Sequence, residues 1–333
     1  MAKKAVKPSL SGALTPKMKK GYPLLLSARQ NLMKALIRSF CFIAALFFCG
    51  SALADNFTDG VEFFRNKQYQ RALFEFQQGT KTDDPRCQYA VGLMYAIGNH
   101  IEQDDEKAFD WIKKAAEQNL PHARNYLGYM YAEGRGTKKD EAKAAEMYRK
   151  AADQQFPDAQ YNLATLYASG KGVQKDPKEA VRLLRRASSH GLPEAQYALG
   201  IMYATGFGVR QNEEQAVYWY HQAAKKGDAK AQNKLGMLLM QGRGAQKDEI
   251  KAANWFKRAA EQRYATAEYN LARLYESGRG VPENKATAID LYQRAASRGN
   301  TAAAERLKKM PIAGNDTIFQ RRATQQGTGS TKH

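Results

Sequence analysis

Residues 159–188, AQYNLATLYASGKGVQKDPKEAVRLLRRAS, hold two periodic stretches joined by a glycine pair. Ala159, Leu163 and Tyr167 recur every four residues, on one face of a helix. Gly170 and Gly172 interrupt that pattern. Asp176-Pro177 then reads as the start of a second helix, with Asp as N-cap and Pro in the first helical position.

The same arrangement returns along the chain every 36 residues. Ala123, Ala159, Ala195, Ala231, Ala267 and Ala303 form one column, and Leu127, Leu163, Leu199, Leu235, Leu271 and Leu307 another. Tyr95, Tyr131, Tyr167, Tyr203 and Tyr275 share a third, with Leu239 in the fifth place. No insertion breaks the register from Pro85 to Asn300. Each unit predicts two helices. Helix A carries sets such as Ala123, Leu127, Met130 and Tyr131; helix B carries sets such as Ala144, Met147, Tyr148 and Ala151. Asp104, Asp140, Asp176, Asn212, Asp248 and Asn284 supply an N-cap to every helix B, each contributing about 1 kcal/mol. Pro121, Pro157 and Pro193 open helix A.

The segment YAEGRG (131–136) poses a choice. A Gly-x-Gly beside an arginine in a chain of net charge +19 could cradle a phosphate. But Gly134, Gly170, Gly206, Gly242 and Gly278 repeat it, as do Gly136, Gly172, Gly208, Gly244 and Gly280, always between helices and never after a strand. These are turns, whose glycines end helix A in the left-handed conformation. The intervening column, Arg135, Lys171, Phe207, Arg243 and Arg279, is mostly basic and leaves a weak positive stripe as an expectation.

In these motifs the chain resembles the Sel1-like repeat family, a subset of the tetratricopeptide class, over Pro85 to Asn300. The resemblance implies an all-α fold, a right-handed α-solenoid of helix-turn-helix units. Six such repeats span 85–300. Gly60, Ala72 and Phe76 match a shorter tetratricopeptide-like unit over 55–84, because Gly to Ala is 12 residues there against 16 from Gly128 to Ala144. Residues 301–310 read as a capping helix, and 311–333 as a polar, disordered basic tail. In this family the concave surface, lined by helix A, is the usual place for a partner. The residues it would present here are Tyr89, Asn125, Tyr129, Tyr161, Thr165, Tyr197, Ile201, Asn233 and Tyr269. Tyrosine gives contact area and a hydrogen bond together, which suits a peptide or protein ligand. The competing reading is that these tyrosines pack between adjacent helices.

The first 54 residues carry nine Lys or Arg, no acid, and an apolar run from Ser39 to Leu53 closed by Ala52-Leu53-Ala54. This predicts a signal peptide cleaved between Ala54 and Asp55, with an over-long n-region that Met33 as an alternative start would shorten. Uncleaved, the same run would anchor the chain in the inner membrane; cleaved, it leaves no membrane span and a periplasmic or secreted protein. Removal leaves 43 basic against 33 acidic residues, a net of +10. Cys41 and Cys49 lie in this segment, so Cys87 alone remains and no internal disulfide is expected.

No catalytic constellation emerges. His100, His122, His190, His221 and His333 fall in different columns, in none of the zinc-site spacings, and are expected at surfaces or turns. Cys87 takes the place of a packed alanine. No cofactor, metal or nucleic acid is expected. The expected function is an exported scaffold that binds a protein or peptide, in envelope assembly or host interaction. Two alternatives stay open: a hydrolase of cell-wall material or β-lactams, as suggested for cysteine-rich relatives whose paired cysteines are missing here, and a polyanion binder.

Overall fold

The computed structural model describes residues 55–98 and 101–310. Residues 1–54, where a signal peptide is expected, residues 311–333, His100 and His333 lie outside the described residues. All described secondary structure is helical, fifteen helices with no strand among them. The chain divides between Asp104 and Asp105 into two compact units.

The first unit holds α1 (Asn56–Arg65), α2 (Tyr69–Thr80) and α3 (Pro85–Ile97). Its core is Phe57, Val61, Ala72, Phe76, Cys87, Val91, Leu93 and Met94. Gly60 lies under the Phe76 ring so closely that a Cβ there would sit 2.6 Å from Cδ1. Asp84 caps α3 through the Arg86 N–H (2.8 Å), and the Arg86 guanidinium bridges Asp84 and Asp55, each at 2.7 Å.

The second unit begins with α4 (Asp105–Glu117). Five helix pairs follow: α5 (Pro121–Glu133) with α6 (Glu141–Asp153), α7 (Pro157–Ser169) with α8 (Pro177–Ser189), α9 (Pro193–Thr205) with α10 (Glu213–Lys225), α11 (Ala229–Gln241) with α12 (Glu249–Glu261), and α13 (Ala265–Ser277) with α14 (Lys285–Ser297). α15 (Thr301–Lys309) ends the stack. The alanine columns are buried throughout, and they let large residues of the neighbouring helix reach the axis. Gly128, Gly200 and Gly236 each face an aromatic ring twenty residues on, Tyr148, Tyr220 and Phe256, with 2.7–2.8 Å to the nearest ring atom from a hypothetical Cβ. In the first unit the same pair is Gly60 and Phe76, sixteen residues apart. The four residues gained are the Gly-x-Gly turn.

The helix boundaries follow their local chemistry. Asp140, Asp176, Asn212, Asp248 and Asn284 each accept a first-turn backbone N–H at 2.8–3.0 Å. Gly134, Gly170, Gly206, Gly242 and Gly278 close the A helices with φ between +65° and +75°. The second glycine of each turn is needed for two reasons. Its φ is also positive, +64° at Gly136 and Gly172. In addition, a Cβ there would overlap a carbonyl oxygen in the first turn of the preceding B helix: Asp105, Glu141, Pro177, Glu213 and Glu249 for Gly136, Gly172, Gly208, Gly244 and Gly280. The turn therefore belongs to two repeats, joining its own helices and seating on the repeat before.

Candidate partner-binding face of the A helices

The residue four after the first of each A helix is Asn or Tyr. Where that residue is Asn, it joins the helices: Asn125 Oδ1 accepts from Asn162 Nδ2 at 2.9 Å, and Asn233 Oδ1 from Asn270 Nδ2 at 2.8 Å. At Tyr161, Tyr197 and Tyr269 the ring lies on the core and stays half-buried. Tyr197 is 5.6 Å from Tyr220, and Tyr269 is 5.7 Å from Tyr292, both tilted. Tyr161 packs on the core of α6 to α9. Tyr129, four residues beyond Asn125, is half-buried with its ring 5.6 Å from Tyr126. Thr165 turns its hydroxyl back to the Asn162 carbonyl at 2.6 Å, and Ile201 is half-buried against the core. Two expected surface residues are not at the surface. Tyr89 is 7 % exposed and Asn233 is 3 % exposed, so they leave the candidate face.

Glu194, in the first turn of α9, belongs to the stripe that the helix A periodicity sets out, and two residues that sequence columns did not single out join it on this face: Asp228, the N-cap of α11, and Tyr264, the residue before α13. The Tyr161 phenol is pushed up chiefly by burial, then by the charges of Glu194 and Asp228. Tyr197 is pushed up by burial, with further contributions from Tyr264 and Asp228. The Asp228 carboxyl is raised by burial and by Glu194, against the Ala231 N–H that it accepts at 2.6 Å. Burial thus raises the Tyr161 and Tyr197 phenols and the Asp228 carboxyl together. Asp228 stands where four other repeats have Leu120, Phe156, Leu192 and Tyr264, while Asp84 and Asn300 cap their helices at the same place.

A buried column lies beneath this face. Gln160, Gln196 and Gln232 donate through Nε2 to carbonyls of the preceding B helix, Ala152, Ser188 and Ala224, at 3.4, 3.3 and 3.1 Å. Arg124 does the same to Ala116 at 3.2 Å. In the last repeat the column holds Glu268, a carboxyl in place of an amide donor. It is fully buried and instead receives Arg294 Nη2 at 2.9 Å and Arg298 Nη1 at 3.1 Å.

The arginines of the positive stripe expected along the turns are neutralised. Arg135 pairs with Asp105 at 2.5 Å, Arg243 with Glu213, and Arg279 with Glu249 at 2.6 Å, each reaching the preceding B helix. The Arg279 guanidinium and the Lys247 ammonium hold Glu249 down at about 2.

Cys87 is buried, and desolvation pushes its thiol up to about 12, far from a nucleophile. His122 departs from the expected surface position. It is half-buried with its ring 4.6 Å from Phe156, and burial lowers it to about 4. Among the described residues no group of His, Cys, Asp and Glu is arranged to hold a metal, and no helix is long and apolar enough to cross a membrane.

The Sel1 repeat profile matches six consecutive segments: 85–120, 121–156, 157–192, 193–228, 229–264 and 265–300. Among solved structures, a Sel1 repeat protein from Oxalobacter formigenes is 32 % identical over 73 % of this chain and 97 % of its own, with TM-score 0.65. The protective antigen c5321 of uropathogenic Escherichia coli, which displays an SLR fold, is 30 % identical over 76 % of this chain, also with TM-score 0.65. The match spans 55 % of that antigen's length. No curated protein matches this chain.

Proposed function

The chain belongs to the Sel1 repeat family, whose repeats commonly serve as protein-interaction scaffolds, and from that premise we propose that it is an exported, non-catalytic scaffold that captures a peptide or protein on the A-helix face. The observation that carries this reading is the half-buried row Tyr161, Tyr197 and Tyr269. Each ring rests on the core yet keeps part of its surface in solvent. Such anchored tyrosines lose little side-chain entropy on binding and offer both area and a hydroxyl. Export follows from the basic, acid-free first 54 residues and their Ala52-Leu53-Ala54 ending. We place the mature chain in the periplasm or outside the cell, in envelope assembly or host interaction.

The test is a selection of random twelve-residue displayed peptides on the full chain. Enriched peptides are expected to lose binding to Tyr161→Ala/Tyr197→Ala while circular dichroism still shows the helices, and Tyr161→Phe/Tyr197→Phe is expected to keep most of the affinity. Peptides that bind the alanine variant as well as the parent would refute this reading.

A further inference from the structure

A second surface, on the B helices, carries charge that the chain itself does not answer. Arg149 of α6 and Arg185 of α8 stand one repeat apart in the same column, and both are exposed. Each is held by a phenol of the next A helix: Arg149 Nη2 donates to Tyr167 Oη at 3.2 Å, and Arg185 Nη2 to Tyr203 Oη at 2.8 Å. A neutral phenol fixes a guanidinium without cancelling its charge. Among the described residues neither arginine forms an ion pair, whereas Arg135, Arg182, Arg243 and Arg279 are each paired with a carboxylate. α6 and α8 are neighbours, since Arg186 Nη2 reaches the Ala152 carbonyl at 3.4 Å. The arginine column continues at His221 on α10 and Lys257 on α12. Tyr218 lies three residues before the first and Ile250 seven before the second, spacings that keep each pair on one helix face. They are the exposed large apolar side chains of the second unit, at 50 % and 66 %. Other repeats hold Asp110, Glu146, Arg182, Asn254 and Asp290 in the place of Tyr218, so the fold itself has no need of a ring there. Acids are sparse on this stretch: Glu146 is paired with Lys150, and Asp153, Glu214 and Glu261 lie at helix ends.

A phosphate takes a fixed guanidinium as a bidentate partner, and the interfacial layer of a bilayer takes tyrosine rings and aliphatic side chains set beside cations. A soluble polyanion would leave Tyr218 and Ile250 in water, and an apolar surface would leave both arginines unanswered. We propose that the B-helix face of α6, α8, α10 and α12 docks on a bilayer of acidic phospholipids, with Arg149 and Arg185 on lipid phosphates and Tyr218 and Ile250 in the interfacial layer. Charge complementarity carries it, joined by two exposed apolar side chains on the same stripe. The face shares no residue with the A-helix row, so it adds a second ligand to the scaffold reading and does not depend on it.

The chain's own fluorescence reads this face. Its three tryptophans, Trp111, Trp219 and Trp255, share one B-helix column, and residues 1–54 hold none. The Trp219 ring lies 5.0 Å from that of Tyr218. The full chain is titrated with vesicles of phosphatidylglycerol or phosphatidylcholine whose brominated acyl chains quench indoles that reach the bilayer. Phosphatidylglycerol is expected to quench and phosphatidylcholine not. Arg149→Gln/Arg185→Gln is expected to need at least tenfold more lipid for half-quenching, since each cation near an acidic bilayer strengthens binding about fivefold. Tyr218→Ser/Ile250→Ser is expected to need at least fivefold more. Circular dichroism is expected to match the parent for both, because all four side chains are exposed. Lys113→Gln/Lys285→Gln, which removes the same charge from α4 and α14, is expected to behave as the parent. The proposal is overturned if phosphatidylglycerol does not quench, if phosphatidylcholine quenches equally, or if the arginine variant matches the parent or the lysine variant. Vesicles that sediment the chain without quenching would place the contact in the basic first 54 residues instead. Loss with the arginine variant alone, and none with Tyr218→Ser/Ile250→Ser, would make the ligand a soluble polyanion and overturn the bilayer.

Discussion

The ion pair in the last repeat offers a sharp test of how the stack is held together. At Glu268 and Arg298 the sequence replaces a pair that another repeat writes with two glutamines, Gln262 Nε2 donating to Gln232 Oε1 at 2.9 Å. Both pairs are thirty residues apart. Removing one partner of a buried ion pair costs about 3–5 kcal/mol when the remaining charge is trapped. Here the consequence depends on which side is removed. Glu268→Gln leaves Arg294 and Arg298, whose side chains are 41 % and 31 % exposed and so rehydrate. The new amide can also donate to the Ala260 carbonyl as Gln232 does to Ala224. The expected cost is about 1 kcal/mol after allowing for solvent screening. Arg298→Gln leaves a fully buried carboxylate with Arg294 alone, at about 2–3 kcal/mol. The double variant rebuilds the Gln–Gln pair and is expected within about 1 kcal/mol of the parent, a coupling of about 2 kcal/mol. Urea unfolding gives the totals. Hydrogen exchange at α13 and α14 localises them, since a repeat array can open at its end before it opens elsewhere. Additive single effects, with coupling within about 0.5 kcal/mol of zero, would refute the idea that the two residues form one interchangeable unit.

Two further predictions follow from backbone geometry and from titration. Gly172→Ala is expected to cost more than about 3 kcal/mol, because it adds a clash with Glu141 to the left-handed strain; Gly227→Ala, at φ +92° with nothing within 4 Å, is expected to cost about 1 kcal/mol. Equal losses in urea unfolding would show that strain alone acts at both sites. His122 has a folded value of about 4 against 6.5 unfolded, so the unfolded chain takes up the extra proton. Stability is therefore full above pH 6.5 and falls as pH drops from 6.5 towards 4. Thermal melts should show that decline in the parent and a flatter one in His122→Phe, and an NMR titration of the ring centred near 6.5 would contradict it.

Most of the fold was legible because its determinants are local or strictly periodic. The caps at Asp140 and Asn212 act within three residues, and the left-handed Gly134 needs only its own helix. The column of residues just before the A helices is equally local but less strict. Asn119, Gln155 and Arg263 have φ of +67°, +61° and +61° where Gly191, Gly227 and Gly299 stand in other repeats, because open space there leaves only strain to bear. From Gly136 to Gly280 the second turn glycine shows no such exchange, and the reason, a carbonyl thirty-one residues earlier, is invisible to a reading along the chain. The face was harder. A column identifies which side of a helix a residue takes, not how deeply it is buried, as Tyr89 and Asn233 show. Asp228 escapes a reading by columns because most repeats hold an apolar or aromatic residue in its place. The turn arginines looked free for the same reason, since their carboxylates lie in the repeat before.

The seating of each turn on its predecessor bears on how such chains change length. Within the second unit, the contacts that join repeats recur at fixed offsets: 8 residues for the glutamine column, 30 for the turn arginines and 37 for the asparagine links. A duplicated or deleted block of 36 residues meets the same donors, acceptors and glycine at both of its new borders. Such a chain can be lengthened or shortened in whole units without inventing a junction, so the span of ligand it can follow is set by copy number, while the identity of that ligand is left to the few positions that break the pattern.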